Sequence, residues 1–294
     1  MDRNVRVRFF TVHQVRDNGV NFSDALRRID AIPELADREL EVEPEVILRM
    51  ERMEERRGLI SGEFVRRQTE NLPPRASEGE PLAQLGVDSI GHCTAFAYDP
   101  ALSVIALQMA RNGVTPIRVM VYVAQLLHIG GYQSQPIPTA EGWDKLQRGS
   151  LRALVVRVAN PANLHAVNQR QRSVKEGLAA MKTAAGTTYV EAAFSMGRGQ
   201  PDITERGHGL LRWFFGEQGR GRGDISKLKA HVAPDDGGSA EWLNLLDYHM
   251  GGNAVLDLPQ DDPNANYRER VRYVRRVFAD HRDELQRMNE RAAE

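Results

Sequence analysis

Two carboxylates and a lysine in the second half of the chain, Asp202, Asp224 and Lys227, are the residue types with which a metal-dependent nuclease works. Such enzymes use paired carboxylates to hold a hard divalent metal on the scissile phosphate, with a lysine two residues beyond the second carboxylate. Lys227 stands three beyond Asp224, so on a strand it points to the opposite face from the one the chemistry needs. A helix-start position for Asp202 and a strand-leading position for Asp224 account for both without a metal. Asp247, His249 and Asp257 could also be assembled into a metal site, but nothing in their spacing favours that over surface positions. No Gly-x-x-x-x-Gly-Lys-Ser/Thr loop, Gly-x-Ser-x-Gly elbow or His-Glu-x-x-His pair occurs. P-loop hydrolysis, serine hydrolysis and zinc proteolysis therefore have no footing. The expectation is a non-enzyme with no catalytic residue, metal, cofactor or small-molecule substrate, and the enzymatic alternative is a nuclease on Asp202 and Asp224.

Two glycine–arginine loops say more. Gly197-Arg198-Gly199 follows one strand-like run, and Gly219-Arg220-Gly221-Arg222-Gly223 leads into another. Glycine lets the backbone approach a phosphate closely, and arginine offers a bidentate fork to its oxygens. Both loops lie in the stretch Lys145 to His231, where 15 basic residues face 6 acidic ones, a net +9; the remaining 24 basic and 34 acidic residues give −10. A polyanion-binding surface would look like this, and so would charges spread over the solvated faces of an ordinary domain. The stretch lacks the aromatic interleaving of single-strand binders, so base stacking is not predicted and duplex backbone contact is. The residues expected to contact double-stranded DNA are Arg170, Arg172 and Lys175 on a helix, Arg198, Arg220 and Arg222 in the loops, and Lys227 and Lys229 on the strand that follows.

The elements that must carry these residues are readable. Arg3 to Val15 alternates on a period of two, and Phe22 to Ile32 puts Phe22, Leu26 and Ile29 on one helical face with Ser23 as its cap. Gly58 to Arg67 predicts a strand, and the run Thr94 to Tyr98, a turn at Asp99-Pro100 and the run Ser103 to Gln108 predict a hairpin. Thr115-Pro116 starts a helix through Leu127. Gly130 to Gly142, rich in Gly, Gln, Pro and Ser, marks a boundary. Beyond it come a strand (Leu151 to Ala159), a helix (Leu164 to Thr183), a strand (Thr187 to Met196), a helix (Ile203 to Phe215) and a strand (Ile225 to Val232). A short strand, Val255 to Leu258, precedes a long helix from about Pro263 to Arg291. Its seam of Tyr267, Val271, Val274, Phe278, His281, Leu285 and Met288 packs on its own domain or pairs with a second copy. The fold class is α/β (α+β): two domains with small mixed sheets, helices on one face and a long C-terminal helix. The domains are 1–145, a basic 146–257, and 258–294 as a helix packing back on the first.

The hydrophobic fraction of 41% and charged fraction of 27% over 294 residues are those of a folded protein. The single cysteine, Cys93, excludes an internal disulfide and a multi-cysteine zinc module. It reads as a small buried residue at the start of a strand. The longest mostly apolar run, Val119 to Ile129, is too short to span a bilayer, and the start of the chain lacks a signal-type apolar core, so a cytoplasmic location is expected.

Two segments follow a recognisable order. One is the hairpin Ala95-Phe96-Ala97-Tyr98 with Val104-Ile105-Ala106-Leu107, ending at Arg111-Asn112-Gly113 and feeding a helix. The other is the closing order: Asp224 to Ala230, the Leu243 to Met250 region, a strand, and a terminal helix with Tyr273, Arg275 and Arg276. In element order, over most of its length, the chain resembles RexA-like phage-exclusion proteins of temperate phages. It implies a dimeric protein that binds DNA without sequence preference, distantly similar in fold to the recombination-associated protein RdgC. It further implies a role in superinfection exclusion or in the choice between lysogeny and lysis. Beside DNA binding and the nuclease, a third class is a protein-interaction module of a phage-defence system, a sensor that hands a signal to a membrane-protein effector, with the basic section binding an acidic partner.

Overall fold

The computed structural model describes residues 2–15, 19–75, 79, 81, 83–110, 112–137, 139, 149–159, 161–164, 166, 168–195, 207, 209–211, 213–214, 225–234, 239–245, 248–259 and 261–293. The chain divides into two units, Met1–Ser134 with Gly251–Glu294, and Gln135–Met250. The division falls within the Gly130 to Gly142 stretch. It assigns 251–257 to unit 1, and not to the basic section that the sequence suggests.

Unit 1 is built on β1 (Asp2–Gln14), β2 (Leu40–Glu43), β3 (Val46–Arg56), β4 (Leu59–Gln68), β5 (Ile90–Asp99), β6 (Val104–Met109) and β12 (Gly251–Asp257). They lie in the order β12-β1-β6-β5-β4-β3-β2, with β7 (Tyr132–Pro136) also paired to β1. Neighbours along the path run antiparallel. β12 falls in unit 1 because it is in register with β1 from Asp2↔Asp257 to Arg8↔Gly251. β3 and β4 approach so closely that a Cβ on Gly62 would lie 2.2 Å from the Arg52 carbonyl oxygen, which leaves glycine as the residue that fits there.

Strand alternation gives this sheet two apolar faces. Phe10, Leu48, Met50, Ile60, Phe64, Phe96 and Leu107 bury one face against α1 (Phe22–Asp30) and α2 (Pro116–Leu126). The N-cap of α1 is Asn21, whose side chain accepts from the Asp24 N–H at 2.8 Å. Ser23, the expected cap, instead donates to Asn21 Oδ1 at 2.6 Å, because the chain is already helical at Phe22. In α2 the buried Tyr122 hydroxyl donates to the Arg38 carbonyl at 2.8 Å and accepts from the Met50 N–H at 3.0 Å.

The long helix, here α4 (Pro263–Ala293), covers the other face. Tyr267, Val271, Val274, Phe278 and Leu285 are buried, and Phe278 meets Phe9 edge to face at 5.4 Å. The seam thus packs on its own unit. Polar contacts fix it: Arg270 pairs with Glu63 inside the core, Arg275 Nη2 reaches Glu54 at 3.1 Å, and Arg282 pairs with the buried Asp99 at 3.0 Å.

Hydrogen bonding from Arg275 holds the Glu54 carboxyl below its usual range. Its contribution to stability is present above the unfolded carboxylate range and is lost as pH falls through the lowered folded value. Urea unfolding at pH 7 and pH 3 should therefore show unit 1 weaker in acid, with the difference reduced in Arg275→Met.

Cys93 lies near the start of β5 and is exposed, not buried as the sequence suggests, since it precedes the run from Thr94 onward that the sheet's two covers enclose. Despite that exposure, desolvation and the Glu63 carboxylate push its thiol up to about 11. It is a thiol at neutral pH, and iodoacetamide should alkylate it roughly tenfold or more slowly than a free cysteine.

Unit 2 holds β8 (Gly149–Val158), β9 (Val190–Ser195), β10 (Ile225–Pro234) and β11 (Glu241–Asn244) in the order β11-β10-β8-β9, all neighbours antiparallel. Val158 stands opposite Val190, so the connection carrying α3 (Gln169–Ala185) leaves and returns at the same end of the sheet. The architecture is therefore α+β, with antiparallel sheets where mixed ones were expected, a larger sheet covered on both faces, and a long C-terminal helix.

Candidate nucleic-acid interface

One face of the unit 2 sheet is apolar. Leu154, Val156 and Val158 of β8, Ile225, Leu228 and Ala230 of β10, and Leu243 of β11 are buried against Leu178 of α3 and against Leu211, Trp213 and Phe214. Each large side chain removed from water there contributes about 1.5–3 kcal/mol. This burial fixes the register, and the register decides which charged residues reach the opposite face.

α3 begins at Asn168, whose side chain accepts from the Gln171 N–H at 3.0 Å, and ends at Gly186 in the left-handed conformation. Those caps put Arg170 and Arg172 in the first turn, where both are exposed and where the positive end of the helix dipole favours anions. Lys175 is half-buried, and Lys182 Nζ donates to the Ala159 carbonyl at 2.7 Å.

Three cross-strand rows make up most of the other face of the sheet, with Ala233 and Ser150 beyond them. Lys227, Arg157 and Glu191 form the first, Asn244, Lys229, Val155 and Ala193 the second, and Trp242, His231, Ala153 and Ser195 the third. In the first row Glu191 accepts from Lys227 at 2.8 Å and from Arg157 Nε at 2.8 Å, and these bonds hold its carboxyl below the usual range. Arg157 also lies over the Tyr189 ring, 4.8 Å from its centroid. Lys229 has Val155 and Asn244 as its cross-strand neighbours, neither of them acidic. In the third row Trp242 stacks on His231 at 4.8 Å and 20°. The Trp242 residue is 50% exposed and Tyr189 48%, so both rings are open to solvent.

The expected DNA-contacting residues therefore do not form one surface. Lys227 and Lys229 lie on the open face, whereas Arg170, Arg172 and Lys175 belong to the helix whose Leu178 packs on the covered face. Arg198, Arg220 and Arg222 lie outside the described residues, as do Asp202, Asp224 and Asp247. Among the described residues no group of three or more His, Cys, Asp and Glu is placed to hold a metal ion.

Compared with known proteins, the chain matches no family model, no curated protein and no solved structure. No helix among the described residues is long and apolar enough to cross a membrane.

The charge split changes when it is counted by structural unit. Unit 2 takes in Glu141, Asp144, Asp235, Asp236, Glu241 and Asp247 beside the 6 acidic residues of the basic stretch, so 15 basic minus 12 acidic residues leaves +3. Unit 1 holds the other 24 basic and 28 acidic residues, a net −4. The described part of unit 2 is more one-sided, with 8 basic residues against Glu176, Glu191 and Glu241.

Sequence reasoning missed the aromatic pairs. Trp242 and His231 meet across strands, as do Tyr189 and Arg157 at the sheet's other end, and neither pairing shows as a local motif. One signal was present: Glu241-Trp242-Leu243 alternates, so a buried Leu243 turns Trp242 outward.

Proposed function

We propose that the protein binds double-stranded DNA without sequence preference, its arginines and lysines meeting backbone phosphates. The observation that carries this reading is the cationic start of α3, where Arg170 and Arg172 stand exposed at a helix N-terminus. Fixed positive charge and backbone N–H groups together suit phosphate oxygens and carry no base information. Following the RexA-like resemblance, the activity serves phage exclusion or the choice between lysis and lysogeny, with a homodimer as the working species. The apolar seam of α4 is used within unit 1, so a dimer takes another surface.

Fluorescence anisotropy with two unrelated duplexes across a salt series tests this. Similar affinity for both, a steep fall of log K with log salt, and intact DNA after incubation with Mg²⁺ or Mn²⁺ are expected. Replacing both Arg170 and Arg172 with alanine should weaken binding equally on the two duplexes and flatten the slope by about 2, one unit per lost phosphate contact. Absence of binding at low salt would remove the reading, and cleavage lost in Asp202→Ala would replace it with the nuclease.

A further inference from the structure

We propose that the open face of the unit 2 sheet is a second nucleic-acid site, one for single strands, on which bases stack against Trp242 and Tyr189 while Arg157, Lys227 and Lys229 take the phosphates. The inference rests on the nucleic-acid reading above but uses different residues and a different ligand.

A tryptophan on a soluble sheet that has a covered apolar face is expected to turn toward that face. Here Leu243 takes the inward position, and Trp242 is held flat on His231, half in water. At the other end of the face Tyr189 is also half-exposed, with the Arg157 guanidinium over its ring. The cations stand between these aromatic ends: Lys227 and Lys229 are successive outward residues of β10, leading to His231 at the next outward position.

From Lys227 to His231 β10 advances about 13–14 Å, and Trp242 on β11 and Tyr189 beside β9 are further separated by three inter-strand spacings of about 4.8 Å each, so a bound strand crosses the face diagonally. That leaves room for an extended chain with one base on each ring system and its backbone over the lysines. Among the described residues the three cations of the face stand against one acid, Glu191, so the face is complementary to a polyanion. Glu191 keeps Arg157 and Lys227 extended on the sheet and neutralises one of them.

Flat aromatic rings on a four-stranded antiparallel sheet, with cations beside them, are the arrangement on which single strands stack two or three bases. A duplex cannot use such rings, because its bases are stacked on one another. An acidic protein segment would use the lysines but would leave the two stacked ring systems without a purpose.

The test compares Trp242→Ala, Trp242→Phe and the Arg170→Ala/Arg172→Ala double variant, each checked for folding by circular dichroism. Fluorescein-labelled oligothymidylate and oligouridylate of about 12 nucleotides, within the site sizes of such platforms, are the single-strand probes, and a duplex of unrelated sequence is the control. Trp242→Ala should weaken single-strand binding about tenfold or more, the loss that follows removal of one stacking platform. Trp242→Phe should restore most of it, and neither change should move duplex affinity. The double variant should do the reverse. A difference between the two oligonucleotides would tell DNA from RNA as the preferred strand.

Unchanged single-strand affinity in Trp242→Ala would overturn the proposal, as would single-strand binding lost only in the double variant. Duplex binding with no single-strand binding would overturn this proposal and leave the first reading standing. No binding of any nucleic acid would overturn both.

Discussion

Arg270→Leu is expected to destabilise unit 1 by about 3–5 kcal/mol, the cost of leaving a buried charge without its partner. Arg270 is 5% exposed and Glu63 2%, and the guanidinium spends its donors on Glu63, on Gln108 Oε1 at 3.3 Å and on Asn266 Oδ1 at 2.7 Å. Gln108 Oε1 is tied in turn to the Ala95 N–H at 3.2 Å, so one side chain of α4 is wired into the middle of the sheet. Removing it strands the Glu63 carboxylate. Arg52 Nε stands 3.7 Å from that carboxylate, too far for a good hydrogen bond, and is a third exposed, so its compensation is partial and the lower end of the range is expected. At about 2–4 °C per kcal/mol the loss is readable in a thermal melt. Glu63→Leu combined with Arg270→Met should recover most of it, because two apolar groups leave no charge to solvate. A double variant as unstable as the single one would show that the network's worth lies in its hydrogen bonds to Gln108 and Asn266. Arg272→Ala, which removes an exposed i,i+3 pair with Glu269, should cost about 1 kcal/mol or less.

Elements whose signal is local were legible. β1 alternates, the β5–β6 hairpin shows as two short apolar arms joined by a turn in which Asp99 Oδ1 accepts the Ala101 N–H at 2.9 Å, and α4 shows its stripe at steps of three and four. β3 was not legible: Arg49, Glu51, Glu54, Glu55 and Arg56 crowd its sequence, and only its pairing to β4 explains why they stand on a strand. The Arg270–Glu63 pair joins residues 207 positions apart, and no sequence period reports such a contact. For the candidate site, the helical arginines and the strand lysines were legible as residue types. Their separation onto two sides of unit 2 was not, because it depends on which way Leu178 and Leu228 turn. The aromatic rows were hidden by the same cause, since pairing register, and not spacing, brings Trp242 onto His231.

Phe214→Ala is expected to cost unit 2 about 3–5 kcal/mol, the range for deleting a buried phenyl ring. Phe214 is 0% exposed, its ring lies 4.6 Å from that of Trp213 and 6.4 Å from that of Phe194, and it belongs to the cluster holding Leu178 of α3 and Leu228 of β10. A four-stranded sheet with one open face has a single core from which to draw stability, and a domain's total is only about 5–15 kcal/mol. The loss therefore takes a large share of what holds α3 on the sheet and keeps the strand register that sets Lys227, Lys229 and Trp242 on one face. Hydrogen exchange read by mass spectrometry should show β8, β10 and α3 losing protection while β1, β5 and α4 keep theirs. Duplex and single-strand binding should fall together in this variant, unlike the separate losses expected from the surface substitutions. Equal loss of protection in unit 1 would mean that the two units unfold as one. Retained binding of both nucleic acids by the destabilised protein would mean that neither surface of unit 2 is the one that binds.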